Sequence, residues 1–376
     1  MCLRKRGSVL AMAAFLFSAL ASLGSGLPLQ EKAVIELPKP TGQFPVGTTV
    51  WHWVDGSRLN PLTPQESDVR EIMVQVWYPA RGEPDAPQAA YAPLYGGFGH
   101  VKTNSVADSP FAKLEKPAPV IVICPGRGVA RHSYSAIAEE LASHGYVTVG
   151  LDSAGIGLVV YPDGRVVLPS SRFRPSAELM GGPYEKVDEF FAEAAELGKR
   201  DVLFALRKLS ELAKNDPTGR FTGRLDLKRI GIFGHSLGGR VAGAAAGSDP
   251  RVRAYAAMEG IPPREVRRGR MGAAVAFLIS SPVPEKVLAN YKEVLPNQRN
   301  DVFLFLLGGF GHNSVTDQPL IEPARFPYGV QPGEGLRVTR LIILNFFEKY
   351  LRNLPVDLQA LENEQGVRVE AYPRSK

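Results

Sequence analysis

Cysteine is nearly missing from this 376-residue chain, which has only Cys2 and Cys124. Two cysteines cannot staple a small disulfide scaffold, so stability must come from a packed core. Metal and nucleotide motifs are missing too: the sequence has no HExxH, no CxxC and no glycine-rich phosphate loop. No metal or other cofactor is expected. Charge of one sign is scarce. The net charge is +6, and Arg4, Lys5 and Arg6 supply half of it. No Lys/Arg run interleaves with aromatics, so no nucleic-acid partner is expected. Gly 38 and Pro 31 show no three-residue period, which excludes a collagen-like chain. With 44% hydrophobic and 22% charged residues, wholesale disorder is excluded as well.

Long apolar runs occur only at the amino terminus. A basic cluster at residues 4–6 precedes the stretch VLAMAAFLFSALASL at 9–23, and small residues follow. This is the pattern of a secretory signal, and the stretch is short for a membrane-spanning helix. Residues 1–26 are therefore expected to be a signal peptide, which makes the protein secreted or periplasmic; a retained membrane anchor is the alternative. Cys124 would then be the one cysteine left, which rules out an internal disulfide. Residues 27–376 are expected to form a single domain.

Short apolar runs recur along that domain at 73–78 (MVQVWY), 120–124 (VIVIC), 146–151 (YVTVGL), 229–233 (RIGIF), 252–258 (VRAYAAM), 273–279 (AAVAFLI) and 302–307 (VFLFLL). Continuous apolar strands are covered on both faces, as in a parallel sheet. Helical patterns alternate with them. Ser133 opens one that Gly145 stops, 185–214 reads as a helix broken or bent near Gly198, and 336–351 reads as a terminal helix. The fold class is α/β, a mostly parallel, doubly wound sheet with helices on both faces. Residues 153–183 differ. They are rich in Gly, Pro and Ser, carry the hairpin signal YPDGRVV, and follow a strand's carboxyl end, where α/β sheets bind ligands. They are expected to form a lid-like insertion or pocket wall.

The sharpest chemical signal is RIGIF running into Gly234-His235-Ser236-Leu237-Gly238 and then a small-residue helix. A bare G-x-S-x-G is weak, but the strand–turn–helix context is what the motif requires. Side chains two positions either side of Ser236 would collide, hence the two glycines. Serine is a poor nucleophile and needs a base. In this arrangement nucleophile, acid and base follow one another along the chain. Of six histidines only His312, in GGFGHNSVTD, lies beyond Ser236. The acid lies between them. Glu259 ends one strand and is favoured; Glu285, after the next strand, is the alternative. An oxyanion hole needs two backbone N–H donors. Leu237 follows the nucleophile, and Arg127 lies in the loop Cys124-Pro125-Gly126-Arg127-Gly128 after an early strand. Cys124 reads as a buried strand-end residue and Asp152 as a loop-fixing carboxylate.

Several segments resemble the plasma-type platelet-activating factor acetylhydrolase family and its bacterial esterase relatives, within the α/β-hydrolase superfamily. REIMVQVWYPA resembles that family's opening strand. CPGRGVARHSYSAIAEELASHGYVTVGLD resembles its oxyanion loop, helix and next strand. GRLDLKRIGIFGHSLGG resembles its approach to the nucleophile, and GHNSVTD its histidine segment. The likeness runs from about Val50 to Leu351. It implies the α/β-hydrolase fold, with Ser236 as nucleophile, Glu259 as acid and His312 as base. The family carries Asp where Glu259 stands, and His-Gly-apolar-Gly where this chain has Pro125-Gly126-Arg127-Gly128.

These readings together predict a serine-dependent carboxylic ester hydrolase, esterase- or lipase-like. A small-molecule or lipid ester is the expected substrate, with a short-acyl phospholipid among the candidates. A polyester or dienelactone-type hydrolase, an acyltransferase and a catalytically silent binding module are the alternatives. A transient contact with a membrane surface is compatible with a lipid ester. The sequence leaves the oligomeric state open.

Overall fold

The computed structural model describes residues 32–374 apart from 64, 83–85 and 328, so the predicted signal segment at 1–26 lies outside the described residues. Five strands come first: β1 (Ile35–Glu36), β2 (Val46–Leu59), β3 (Val69–Pro79), β4 (Gln88–Ala90) and β5 (Val101–Ala107). There follow β6 (Ala118–Cys124), α1 (Ser135–Ser143), β7 (Val147–Ser153), a hairpin of β8 (Val159–Val160) and β9 (Val166–Val167), α2 (Ala177–Gly181) and α3 (Tyr184–Lys214). The remainder is β10 (Leu225–His235), α4 (Leu237–Ser248), β11 (Val252–Met258), α5 (Arg264–Arg268), β12 (Ala274–Ser281), α6 (Glu285–Lys292), β13 (Val302–Gly308), α7 (Gln318–Ile321), α8 (Pro332–Arg352) and β14 (Val367–Tyr372).

All strands but the β8–β9 hairpin join one 12-stranded sheet in the order β1-β5-β2-β3-β7-β6-β10-β11-β12-β13-β14, with β4 on β5. From β7 to β13 the pairings are parallel, and β3 and β14 border this block antiparallel. The fold is thus the mostly parallel α/β sheet expected from the apolar runs. Its parallel strands are buried on both faces, as the seven buried residues of β6 illustrate. Val120, Val122 and Cys124 face one core with Val202, Leu209, Val241 and Ala245 of α3 and α4. Ile121 and Ile123 face the other, with Ile137 and Leu141 of α1 and Ile342 and Phe346 of α8.

One expectation needs correcting. α3 runs unbroken from Tyr184 to Lys214, through Gly198. A Cβ at Gly198 would lie 2.6 Å from a methyl of Val241 on α4, so the glycine serves close helix packing and does not break the helix. No helix among the described residues is long and apolar enough to cross a membrane.

The strand order positions the site. The chain passes from β6 to β7 on one side, then returns to β10 on the other side of β6. Strand order reverses between β6 and β10. Loops at the carboxyl ends there splay apart and leave a crevice, the usual ligand position in such sheets.

Candidate active site

Ser236 stands where β10 turns into α4, at φ 55° and ψ −122°, a backbone conformation that costs a non-glycine residue about 1–3 kcal/mol. The surroundings enforce it. A Cβ on Gly234 would meet the Gly238 carbonyl oxygen at 2.1 Å, and one on Gly238 would meet that of Cys124 at 2.0 Å. The Ser236 N–H donates to the Met258 carbonyl at 2.9 Å, and its own carbonyl accepts from Gly239 N–H at 3.0 Å. The side chain therefore projects, partly exposed, above the first turn of α4, where the helix dipole favours negative charge.

His312 lies in the segment after β13, its ring centroid 4.7 Å from that of His235, the residue preceding Ser236. The chain thus brings the later histidine to the serine turn. His312 Nδ1 is 3.7 Å from Glu259 Oε2, an approach longer than a hydrogen bond. Glu259 directly follows β11 and also has positive φ, 54°. Its N–H donates to the Leu278 carbonyl at 2.9 Å, and its Oε1 accepts from the Ser280 N–H. β12 thus holds both the Glu259 main chain and one carboxylate oxygen, with the other oxygen toward the imidazole. Glu285 is exposed at the first residue of α6 and, among the described residues, pairs with no histidine.

The loop after β6 packs on this turn. A Cβ on Gly126 would lie 3.5 Å from that of Ser236. Gly128, at φ 75°, donates its N–H to the Ile156 carbonyl at 3.0 Å. The N–H groups of Arg127 and Leu237 have no hydrogen-bond partner among the described residues. Two unsatisfied donors flanking a serine can hold an oxyanion. The Arg127 guanidinium is held below its ordinary pKa, first by burial and then by Arg174. Cys124 is buried, and burial pushes its thiol well up, so it carries no reactive thiolate. Asp152 fixes the loop: it accepts the Arg131 N–H at 2.6 Å, the Tyr95 hydroxyl at 3.0 Å and the Arg131 guanidinium.

Residues 153–183 fold over this edge. Their Val159–Val160 and Val166–Val167 strands form the hairpin expected from YPDGRVV. Phe173 is buried among Ile156, Val187, Phe191 and Leu237, and Pro169 lies 3.5 Å from where a Gly128 Cβ would be. The segment thus touches both the loop after β6 and the residue after Ser236. Sequence reasoning missed Tyr134 and treated His235 as filler. Both rings are buried between the loop after β6 and His312. Nothing local marks Tyr134, which stands between Ser133 and Ser135, and His235 is marked only as the residue before the serine of the motif.

Comparisons with known proteins bear on the fold and the family. A family profile described as platelet-activating factor acetylhydrolase, isoform II, matches residues 30–153, which include the loop after β6. A platelet-activating factor acetylhydrolase of Cavia porcellus is 24% identical over 261 residues, 59% of this chain; the chain spans about half (55%) of that relative's length. The solved ferulic acid esterase from Streptomyces cinnamoneus is 26% identical, with a TM-score of 0.71 over 87% of this chain and 96% of that one. The chain accordingly has the α/β-hydrolase fold and resembles the platelet-activating factor acetylhydrolase family.

Proposed function

We propose that the chain is a serine-dependent carboxylic ester hydrolase working through an acyl-enzyme. In this reading His312, oriented by Glu259 at Nδ1, takes the Ser236 proton as Oγ attacks the ester carbonyl. The N–H groups of Leu237 and Arg127 hold the oxyanion that forms. The protonated imidazole gives its proton to the departing alcohol. Water, deprotonated by the same imidazole, then releases the acid. The observation that supports the reading is a serine in a strained turn whose preceding residue, His235, has its ring centroid 4.7 Å from that of His312, with His312 Nδ1 3.7 Å from the Glu259 carboxylate.

The relatives named above act on acetyl and feruloyl esters according to their names, which makes small-acyl and aryl esters the first substrates to assay. A lipid ester and a transient contact with its surface belong to the same proposal. So does export, which rests on the signal-like pattern at residues 1–26.

A fluorophosphonate should label one residue, found at Ser236 by peptide mapping. Ser236→Ala should lose labelling and at least about 10,000-fold in nitrophenyl acetate turnover. Unchanged labelling of the variant would overturn the assignment.

A further inference from the structure

A chain of three hydrogen bonds, two buried and the third partly so, ties the oxyanion loop to the base-bearing segment and passes behind the nucleophile. The Gly126 N–H meets the Tyr134 hydroxyl at 3.0 Å, that hydroxyl meets His235 Nδ1 at 2.9 Å, and His235 Nε2 meets the main-chain carbonyl of His312 at 2.7 Å. Chemistry allows one arrangement of its protons. The His312 carbonyl can only accept, so Nε2 carries the hydrogen. Burial, and then the nearby His312, hold the His235 ring well below its ordinary pKa, so it is neutral. Nδ1 then has only a lone pair and must accept. Tyr134 donates to it, which leaves the phenol oxygen to accept from Gly126. Every donor has one acceptor, and no member can reverse.

The ends of this chain matter. Gly126 immediately precedes Arg127, one proposed oxyanion donor, and His312 is the proposed base. His235 immediately precedes the proposed nucleophile. We propose that Tyr134 and His235 are positioning residues that set the spacing of oxyanion donor, nucleophile and base. This rests on the esterase reading above. Neutrality has a use. When the His312 ring becomes a cation, a charged ring with its centroid 4.7 Å away would oppose it, and a neutral one does not.

The test compares Tyr134→Phe, His235→Gln and His235→Leu on nitrophenyl acetate. Rates are expressed per active site counted by end-point fluorophosphonate titration, so that misfolded protein does not enter. Tyr134→Phe should lower kcat by about 10- to 100-fold with KM within about threefold, because misplaced groups cost the chemical step rather than binding. His235→Gln keeps an N–H for the His312 carbonyl and should exceed His235→Leu by about tenfold. The proposal is overturned if both Tyr134→Phe and His235→Leu keep kcat within twofold, or if the loss is confined to KM or to Tm. A wild-type enzyme that titrates no site and turns over no ester defeats the esterase reading instead, which separates the two failures.

Discussion

Two side chains at this site adopt left-handed backbone conformations that ordinary residues avoid. Ser236 has φ 55° and Glu259 has φ 54°, and each is the first residue after its strand. A sharp turn there throws the side chain out of the sheet toward the crevice instead of along the strand. The cost is about 1–3 kcal/mol at each position, offset by the packing that makes other conformations collide. Glutamate carries one methylene more than aspartate, and the Ser280 N–H holds that extra length in check. Which carboxylate serves the imidazole is then a kinetic question with two arms. Glu259→Gln should cost kcat at least about 100-fold by losing orientation and charge stabilisation of His312. Glu285→Gln should stay near normal, and the reverse ranking would move the role to Glu285. The legible part at this scale was the elbow: a glycine two residues before and two after a serine is a spacing with a steric cause. Tyr134 was not legible, because its partners Gly126 and His235 lie 8 and 101 residues away.

At the scale of elements, α1 is the brace for the His312 segment. Beyond His312, the Asp317 N–H donates to the Ser133 carbonyl at 2.8 Å, and the Asp317 carboxylate accepts the Ala136 N–H at 3.3 Å. Toward its other end α1 is tied to α8 and the amino-terminal segment through Glu140, which accepts from Arg340 of α8 and from the Thr41 N–H at 3.0 Å. Burial alone would raise the Glu140 pKa. Hydrogen bonds from His144, Arg340 and Thr41 outweigh it and bring the group to about 2. A depressed carboxyl pKa means the folded state binds the proton less readily than the unfolded one. Its contribution is therefore complete above the ordinary value of 4.5 and is lost as pH falls through about 2. Urea midpoints measured from pH 7 to pH 2 should fall less steeply below pH 5 in Glu140→Gln than in the wild type. Equal slopes would show that other carboxylates carry the acid sensitivity.

At the scale of the whole molecule, sheet order explains why the pieces meet. The return of the chain from β7 to β10 across β6 sets the loop after β6 beside the turn after β10. β11 and β13 deliver Glu259 and the His312 segment to the same edge. Residues 153–183 then wall the crevice, anchored by Phe173. Phe173→Ala should cost about 3 kcal/mol by emptying that small core. The loss falls on the wall more than on the sheet, so limited proteolysis should cut within 153–183 faster while strand amides keep their hydrogen-exchange protection. Cleavage at the wild-type rate would show that the wall is held elsewhere.

The sequence by itself determined the apolar parallel strands, the strand–turn–helix at Ser236 and the glycine loop after β6. Each follows from a constraint between near neighbours: two-faced burial of a short run, or Cβ collisions within a turn. Tertiary structure alone decided that Glu259 rather than Glu285 faces His312, that α3 runs on through Gly198 where α4 packs against it, and that Tyr134 and His235 bridge the oxyanion loop to His312. These depend on which distant strands become neighbours, and no local spacing encodes that.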